Sequence, residues 1–197
     1  MARPREFEEA DAIAKATQVF WTHGYQDASL PDLLEGMGLT RGSLYKAFKD
    51  KKNLFLVVLD HYERAAVDNA VRILSNPDEP DGAARILTLF GGIYRAVSEG
   101  EQRGCLLCTA ASGSEMADPE IAAAVHQGLA KMQAGFEVAL AASPQHADLS
   151  DSARLQLANV LVTQYVGLRM LARSRLPLGI LENAVRGIAG ILGRPEA

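Results

Sequence analysis

A chain of 197 residues with 48% hydrophobic content suits one large domain or two small ones and can bury a substantial core. No apolar run approaches the ~20 residues needed to cross a bilayer, the N-terminal stretch MARPREFEEADAIAKATQ holds charges but no apolar secretory core, and two cysteines are too few for a disulfide scaffold, so a soluble cytoplasmic protein is expected. The net charge of −4 argues against general nucleic-acid coating, yet between Arg41 and Lys52 the cations Arg41, Lys46, Lys49, Lys51 and Lys52 stand against Asp50 alone.

Residues 5–22 read as a first helix, with Ala10, Ile13, Ala14, Ala16, Val19 and Phe20 in one apolar stripe and Glu8, Glu9, Lys15 and Gln18 outside it. His23-Gly24 ends it, and Tyr25 is expected to pack back on the helices that follow. Arg3 and Arg5 precede it in an arm that either frays or touches a nucleic acid. Ser29 is a candidate N-cap for a second helix, with Pro31 and Asp32 in its first turn. Leu30, Leu33 and Leu34 supply its apolar face. Gly36 and Gly38, flanking Met37, keep it short. Leu39 reads as a buried plug and Thr40 as the next N-cap. In the third helix Leu44 and Phe48 face inward, and Arg41, Ser43, Tyr45 and Lys46 face outward. A helix, a glycine turn, and a helix whose outer face is basic, hydroxylated and aromatic make a helix-turn-helix arrangement sized for a major groove.

Asp50 can cap a long helix that runs to Ser75, where Asn76-Pro77 stops it. Residues 82–99 form the next helix, residues 100–104 break the pattern, and Cys105 to Ser112 is short and apolar. Asp118-Pro119 starts a helix that reaches Ala142, Ser150 or Asp151 caps another to Ser174, and Pro177 opens the last, to Gly193. No β-alternation, internal repeat or low-complexity tract is present, so the fold class is all-α. The last two helices are apolar over wide arcs. Either they lie inside a monomer, or a symmetric partner covers them; Gly167, Gly179, Gly187 and Gly190 permit close approach.

The segment from Ile13 to Leu59 resembles the DNA-binding domain of the TetR family of bacterial transcriptional repressors. The residues that carry the resemblance are Ile13, Ala16, Phe20, Gly24-Tyr25, Ser29, Leu33, Gly38-Leu39, Thr40-Arg41-Gly42-Ser43-Leu44-Tyr45, Phe48, Lys51, Leu54 and Leu59. Three departures stand out. Gly36-Met37 replaces small alanines, which predicts a turn that is looser or packed differently; Ala47 replaces a polar or aromatic residue; and Lys52 replaces a glutamate, adding positive charge near DNA. The resemblance implies about nine helices: a helix-turn-helix DNA-binding domain over residues 1–49 and a ligand-sensing and dimerisation domain over residues 50–197. It implies a homodimer bound to a double-stranded operator, with a bundle made by the last two helices of each subunit. Leu161, Tyr165, Leu168, Val185, Ile188 and Leu192 are the expected dimerisation residues.

Within the recognition segment, Arg41 is the candidate base contact, because a guanidinium can bind guanine O6 and N7 together. Thr40, Ser43, Tyr45, Lys46 and Lys51 are assigned to phosphates or groove walls, and Ser29 with the amides of its helix start to another phosphate. Arg103-Gly104-Cys105-Leu106-Leu107-Cys108 is the second constellation. A zinc site needs four ligands, and no close His or Cys completes one; His126 lies on the next helix. Packing is the commonest fate of free cysteine, but Cys105 follows a cation at a helix start, where a thiol pKa falls. A Gly-Cys-Leu here also resembles a subset of TetR-type repressors in which that cysteine senses electrophiles or oxidants. The rival function is an all-helical thiol oxidoreductase using Cys105 and Cys108, without the βαβ context such enzymes usually have.

Non-covalent sensing is the other route. Phe90, Tyr94, Met116, Met132, Phe136, Tyr165 and Met170 are candidate pocket residues, though each is equally at home in plain core. Gln164 and Arg169 are the polar groups that would orient a small-molecule effector. The expected protein is a DNA-binding repressor and not an enzyme. No cofactor and no metal are expected.

Overall fold

The computed structural model describes residues 8–194, and the two arginines assigned to an N-terminal arm, Arg3 and Arg5, lie outside the described residues. Helix α1 (Glu9–Asp27) contains one break, at Gly24, whose φ of 79° leaves the helical region where glycine had been expected to end the helix. Ser29 caps α2 (Leu30–Met37) and Thr40 caps α3 (Arg41–Phe48), each accepting from the amide three residues on. Between them Gly38 takes a left-handed φ of 67°, and the Leu39 amide returns to the Leu34 carbonyl at 3.0 Å.

The turn is not loosened by Gly36. A Cβ there would stand 2.4 Å from Val19 Cγ2, so that glycine lets α2 close onto α1. Leu33, Leu44, Phe48, Leu54 and Phe55 bury themselves around Phe20, and Tyr25 stacks near Phe55 at 4.7 Å. Leu39, expected to be fully buried, is half-buried.

Asp50 caps α4 (Lys51–Tyr62) through the Asn53 amide at 2.7 Å. A π-helical turn, Glu63–Val67, follows directly and passes into α5 (Asp68–Leu74). The long helix read from the sequence is therefore one rod with a wider turn in its middle, which hydrophobic periodicity does not show. The buried Glu63 sits in that turn and pairs with Lys131 at 2.5 Å. Buried Arg85 donates to the Leu74 carbonyl where the rod ends.

The C-terminal part comprises α6 (Gly82–Ser98), α7 (Leu106–Ala111), a short 3-10 turn (Ser114–Ala117), α8 (Pro119–Ala141), α9 (Asp151–Arg173) and α10 (Leu178–Ile191). Helix α8 lies along α9, α6 packs on α8 and α10, and α1 reaches across to α7. Among the described residues there is no strand. With α4 and α5 counted as one rod, nine helical elements remain.

Of the expected dimerisation residues, Leu161, Tyr165, Leu168, Ile188 and Leu192 are at most 3% exposed within the single chain, where they fill its own core; Val185 is half-buried. The outer faces of the same helices carry Leu155, Val160, Ile180 and Ile191, all exposed. Periodicity gave one wide apolar arc per helix and did not separate its inward part from its outward part.

Candidate nucleic-acid interface and thiol site

Leu44 and Phe48 are at most 4% exposed and anchor α3 to the three-helix core. Their spacing turns Arg41, Tyr45 and Lys46 outward, and Tyr45 remains 46% exposed although it is aromatic. The hydroxyls of Thr40 and Ser43 share one hydrogen bond of 3.0 Å, so one of the two O–H groups stays available to donate to a phosphate. Lys49 closes α3 in a left-handed conformation, φ 68°, and projects into solvent beside Lys46. The sequence counted its charge without naming it as a contact.

Three cations or caps behave differently from their assignment. Ser29 is locked in a capping box: its hydroxyl donates to Asp32 Oδ2 at 2.6 Å, and its amide donates to the same oxygen at 2.9 Å. Hydrogen bonds from Ser29 hold the Asp32 carboxyl below its ordinary pKa, leaving a carboxylate where a phosphate had been placed. Lys51 donates to the Gln26 carbonyl at 3.2 Å and sits 4.7 Å from the Tyr25 ring, and burial lowers its pKa. It ties α4 to the end of α1 rather than standing free at the interface. Lys52 bonds to Asp118 at 2.8 Å and to Glu120 at 3.1 Å, so its charge is spent on α8. Arg41, Lys46 and Lys49 are the exposed cations that remain around α3.

Cys105 lies at the head of α7 and Cys108 one turn on; they are 3% and 1% exposed. The Cys108 thiol, hydrogen-bonded to Cys105, lowers the Cys105 pKa from 9.0 to about 6. Burial opposes the shift, and the Tyr62 hydroxyl and the Arg169 guanidinium support it. The same interaction and burial push the Cys108 thiol up. Tyr62 arrives from the end of α4, and no sequence signal links it to the cysteines.

Arg169 Nε is buried without a hydrogen-bond partner, and its guanidinium carbon lies 5.4 Å from the Tyr165 ring. Phe90, Phe136 and Tyr165 do come together: Phe90 stacks on Phe136 at 5.9 Å and meets Tyr165 edge-on at 6.5 Å. Phe90 and Phe136 are 0% exposed and pack as core. Tyr94 is half-buried at its edge, whereas Gln164 is exposed on the far side of α9 and cannot orient anything held inside. Met132 is buried, and Met116 and Met170 are half-buried against the core. Among the described residues, no cluster of three His, Cys, Asp or Glu side chains is arranged to hold a metal.

The two parts of the molecule meet at a junction that sequence reasoning missed. Arg173, in the last turn of α9, donates to the Trp21 carbonyl at 2.8 Å and the Thr22 carbonyl at 3.2 Å. Arg103 lies over the Trp21 ring at 4.3 Å and donates to Gln18 Oε1 at 2.6 Å.

The sequence profile described as "Bacterial regulatory proteins, tetR family" matches residues 12–58. The HTH-type transcriptional repressor ComR of Escherichia coli K12 is 33% identical over 115 residues, which is 56% of this chain and 54% of ComR. The repressor BdcR of the same organism is 30% identical, covering 60% of this chain and 58% of BdcR. The chain thus aligns with little more than half the length of these curated relatives. A cysteine mutant of the TetR family transcriptional regulator CifR, complexed with 26-base-pair operator DNA, is 29% identical with a TM-score of 0.80, covering 93% of this chain and 98% of that one. Reduced NemR of E. coli, at 22% identity and a TM-score of 0.79, shares the fold over 92% of this chain and 94% of its own.

Proposed function

We propose that this chain, whose residues 12–58 match the TetR family model and whose fold matches CifR, is a homodimeric transcriptional repressor of the TetR family that binds a near-palindromic operator through α3. The observation that carries this reading is the pairing on one short helix of fully buried anchors, Leu44 and Phe48, with an exposed Arg41, Tyr45 and Lys46. Arg41 reads a base edge; Tyr45, Lys46, Lys49 and the Thr40–Ser43 hydroxyl pair hold phosphates. The partner subunit packs on the exposed Leu155, Val160, Ile180 and Ile191 of α9 and α10, which places two recognition helices about one DNA turn, ~34–36 Å, apart. No helix among the described residues is long and apolar enough to cross a membrane, and we place the repressor in the cytoplasm, where the DNA is.

Release comes from the regulatory core. Cys105 is a thiolate near neutral pH beside Tyr62 and Arg169, and its modification by an electrophile favours a state in which the two recognition helices no longer fit the operator. The similarity to DNA-binding repressors does not favour the thiol-oxidoreductase alternative.

Selection of genomic fragments by the purified protein at physiological salt tests both parts, with binding repeated after N-ethylmaleimide. One near-palindromic site, lost on treatment of the wild type and kept by Cys105→Ser, is expected. A specific site indifferent to treatment would remove the thiol switch, and no specific site at all would remove the repressor.

A further inference from the structure

We infer that Arg173 and Arg103 are positioning residues for operator recognition: together they form a latch that sets the angle at which the helix-turn-helix module leaves the regulatory core. The inference rests on the operator-binding reading above.

Gly24 breaks α1 with its φ of 79°, which puts a helix end, with its exposed carbonyls, just before it. Two of them, Trp21 and Thr22, are taken by one guanidinium, that of Arg173, at 2.8 and 3.2 Å. A planar fork suits two adjacent carbonyls, and a cation at a helix C-terminus is favoured by the helix dipole. The same Nη1 reaches the Arg103 carbonyl at 3.4 Å. Arg103 completes the grip from the other side, with its guanidinium on the Trp21 ring, a bond to Gln18, and Glu101 holding its other edge. The hydrogen bonds to Gln18, Trp21 and Thr22 join the base of the DNA-binding module to arginines 85 to 152 residues away in sequence.

The latch is built to feel its surroundings. Gly104, φ 74°, lies so close to α9 that a Cβ would stand 2.7 Å from the Arg169 carbonyl. Arg103 and Cys105 are its chain neighbours, and Arg169 is one helical turn before Arg173. A displacement of Cys105 or Arg169 therefore reaches both arginines within a few bonds. The grip itself is small and polar, a few hydrogen bonds and one cation–π contact, so it can open without unfolding either part.

Trp21 is the chain's single tryptophan and reports on the latch directly. The test compares the full-length wild type with Arg173→Gln, Arg103→Gln and Arg173→Lys, by acrylamide quenching of Trp21 and by affinity for operator and random DNA. Both Gln variants are expected to raise the quenching constant and to lower operator affinity roughly tenfold, as loss of charge-assisted hydrogen bonds should, while random-DNA affinity stays at the wild-type value. Arg173→Lys, which keeps the charge but loses the fork, should fall between. Melting curves check folding; should Arg173→Gln melt early, Arg103→Gln, whose side chain is 42% exposed, decides. Unchanged quenching with an unchanged operator-to-random ratio overturns the latch. A wild type that discriminates no sequence overturns the repressor reading instead, and quenching alone then decides the latch.

Discussion

Arg41 and Lys46 stand within two turns of one helix, both exposed, yet they predict different failures. Removing a base contact by Arg41→Ala should cost about 1–3 kcal/mol on the operator and relax preference at one base pair, measured by competition against single-base operator variants. Lys46→Ala should weaken all sequences alike and flatten the salt dependence by about one unit per half-site. Lys51→Ala should barely change that slope, because its ammonium is already held by the Gln26 carbonyl and the Tyr25 ring. The sign for Cys105 is equally specific. Its folded pKa is depressed to about 6 by the hydrogen bond with Cys108, so its thiolate persists below the ordinary thiol pKa. The alkylation rate of Cys105 should therefore level off just above pH 6, whereas an ordinary thiol keeps accelerating toward pH 9. A midpoint near 8.5 in a mass-spectrometric time course would contradict the thiolate.

At the scale of elements, the helix ends follow local chemistry closely. Ser29, Thr40, Asp50, Asp81, Asp118 and Ser150 all cap helices through their side chains. Short polar side chains ahead of apolar periodic stretches are local signals, which is why these boundaries were legible beforehand. Close approaches between helices are not local. A Cβ on Gly82 would lie 1.6 Å from the Ala139 carbonyl oxygen, where the start of α6 meets the end of α8. Gly82→Ala should cost about 2–3 kcal/mol in a urea melt, despite the better helix propensity of alanine, because neither backbone can give way. The π-helical turn at Glu63–Val67 was equally invisible, since one extra residue per turn hardly disturbs an apolar stripe.

For the whole molecule, the surface proposed for the partner subunit is the outer face of α9 and α10. Val160 and Ile191 are 43% and 42% exposed in the single chain, so a charge at either disturbs no core. Val160→Glu or Ile191→Glu should give a folded monomer in light scattering, with near-specific-site affinity reduced to that of a single half-site. A dimer that persists in both variants would place the partner elsewhere. The latch at Trp21 belongs to this scale too, because it joins segments far apart in sequence, the end of α1 and the end of α9.

The amino-acid sequence by itself determined the class of fold, the helix-turn-helix, the resemblance of residues 13–59 to the TetR DNA-binding domain and the outward face of α3. Each of these depends on spacing and capping within a few turns of chain, and on side chains whose role is set by their neighbours in sequence. Only the tertiary structure decided which part of the apolar arc of α9 and α10 faces inward, that Lys51, Lys52 and Ser29 are committed to internal partners, and that Tyr62 and Arg169 meet Cys105. It alone set two arginines on the end of α1. A side chain's partner is fixed by packing between helices distant in sequence, and neither periodicity nor composition carries that information.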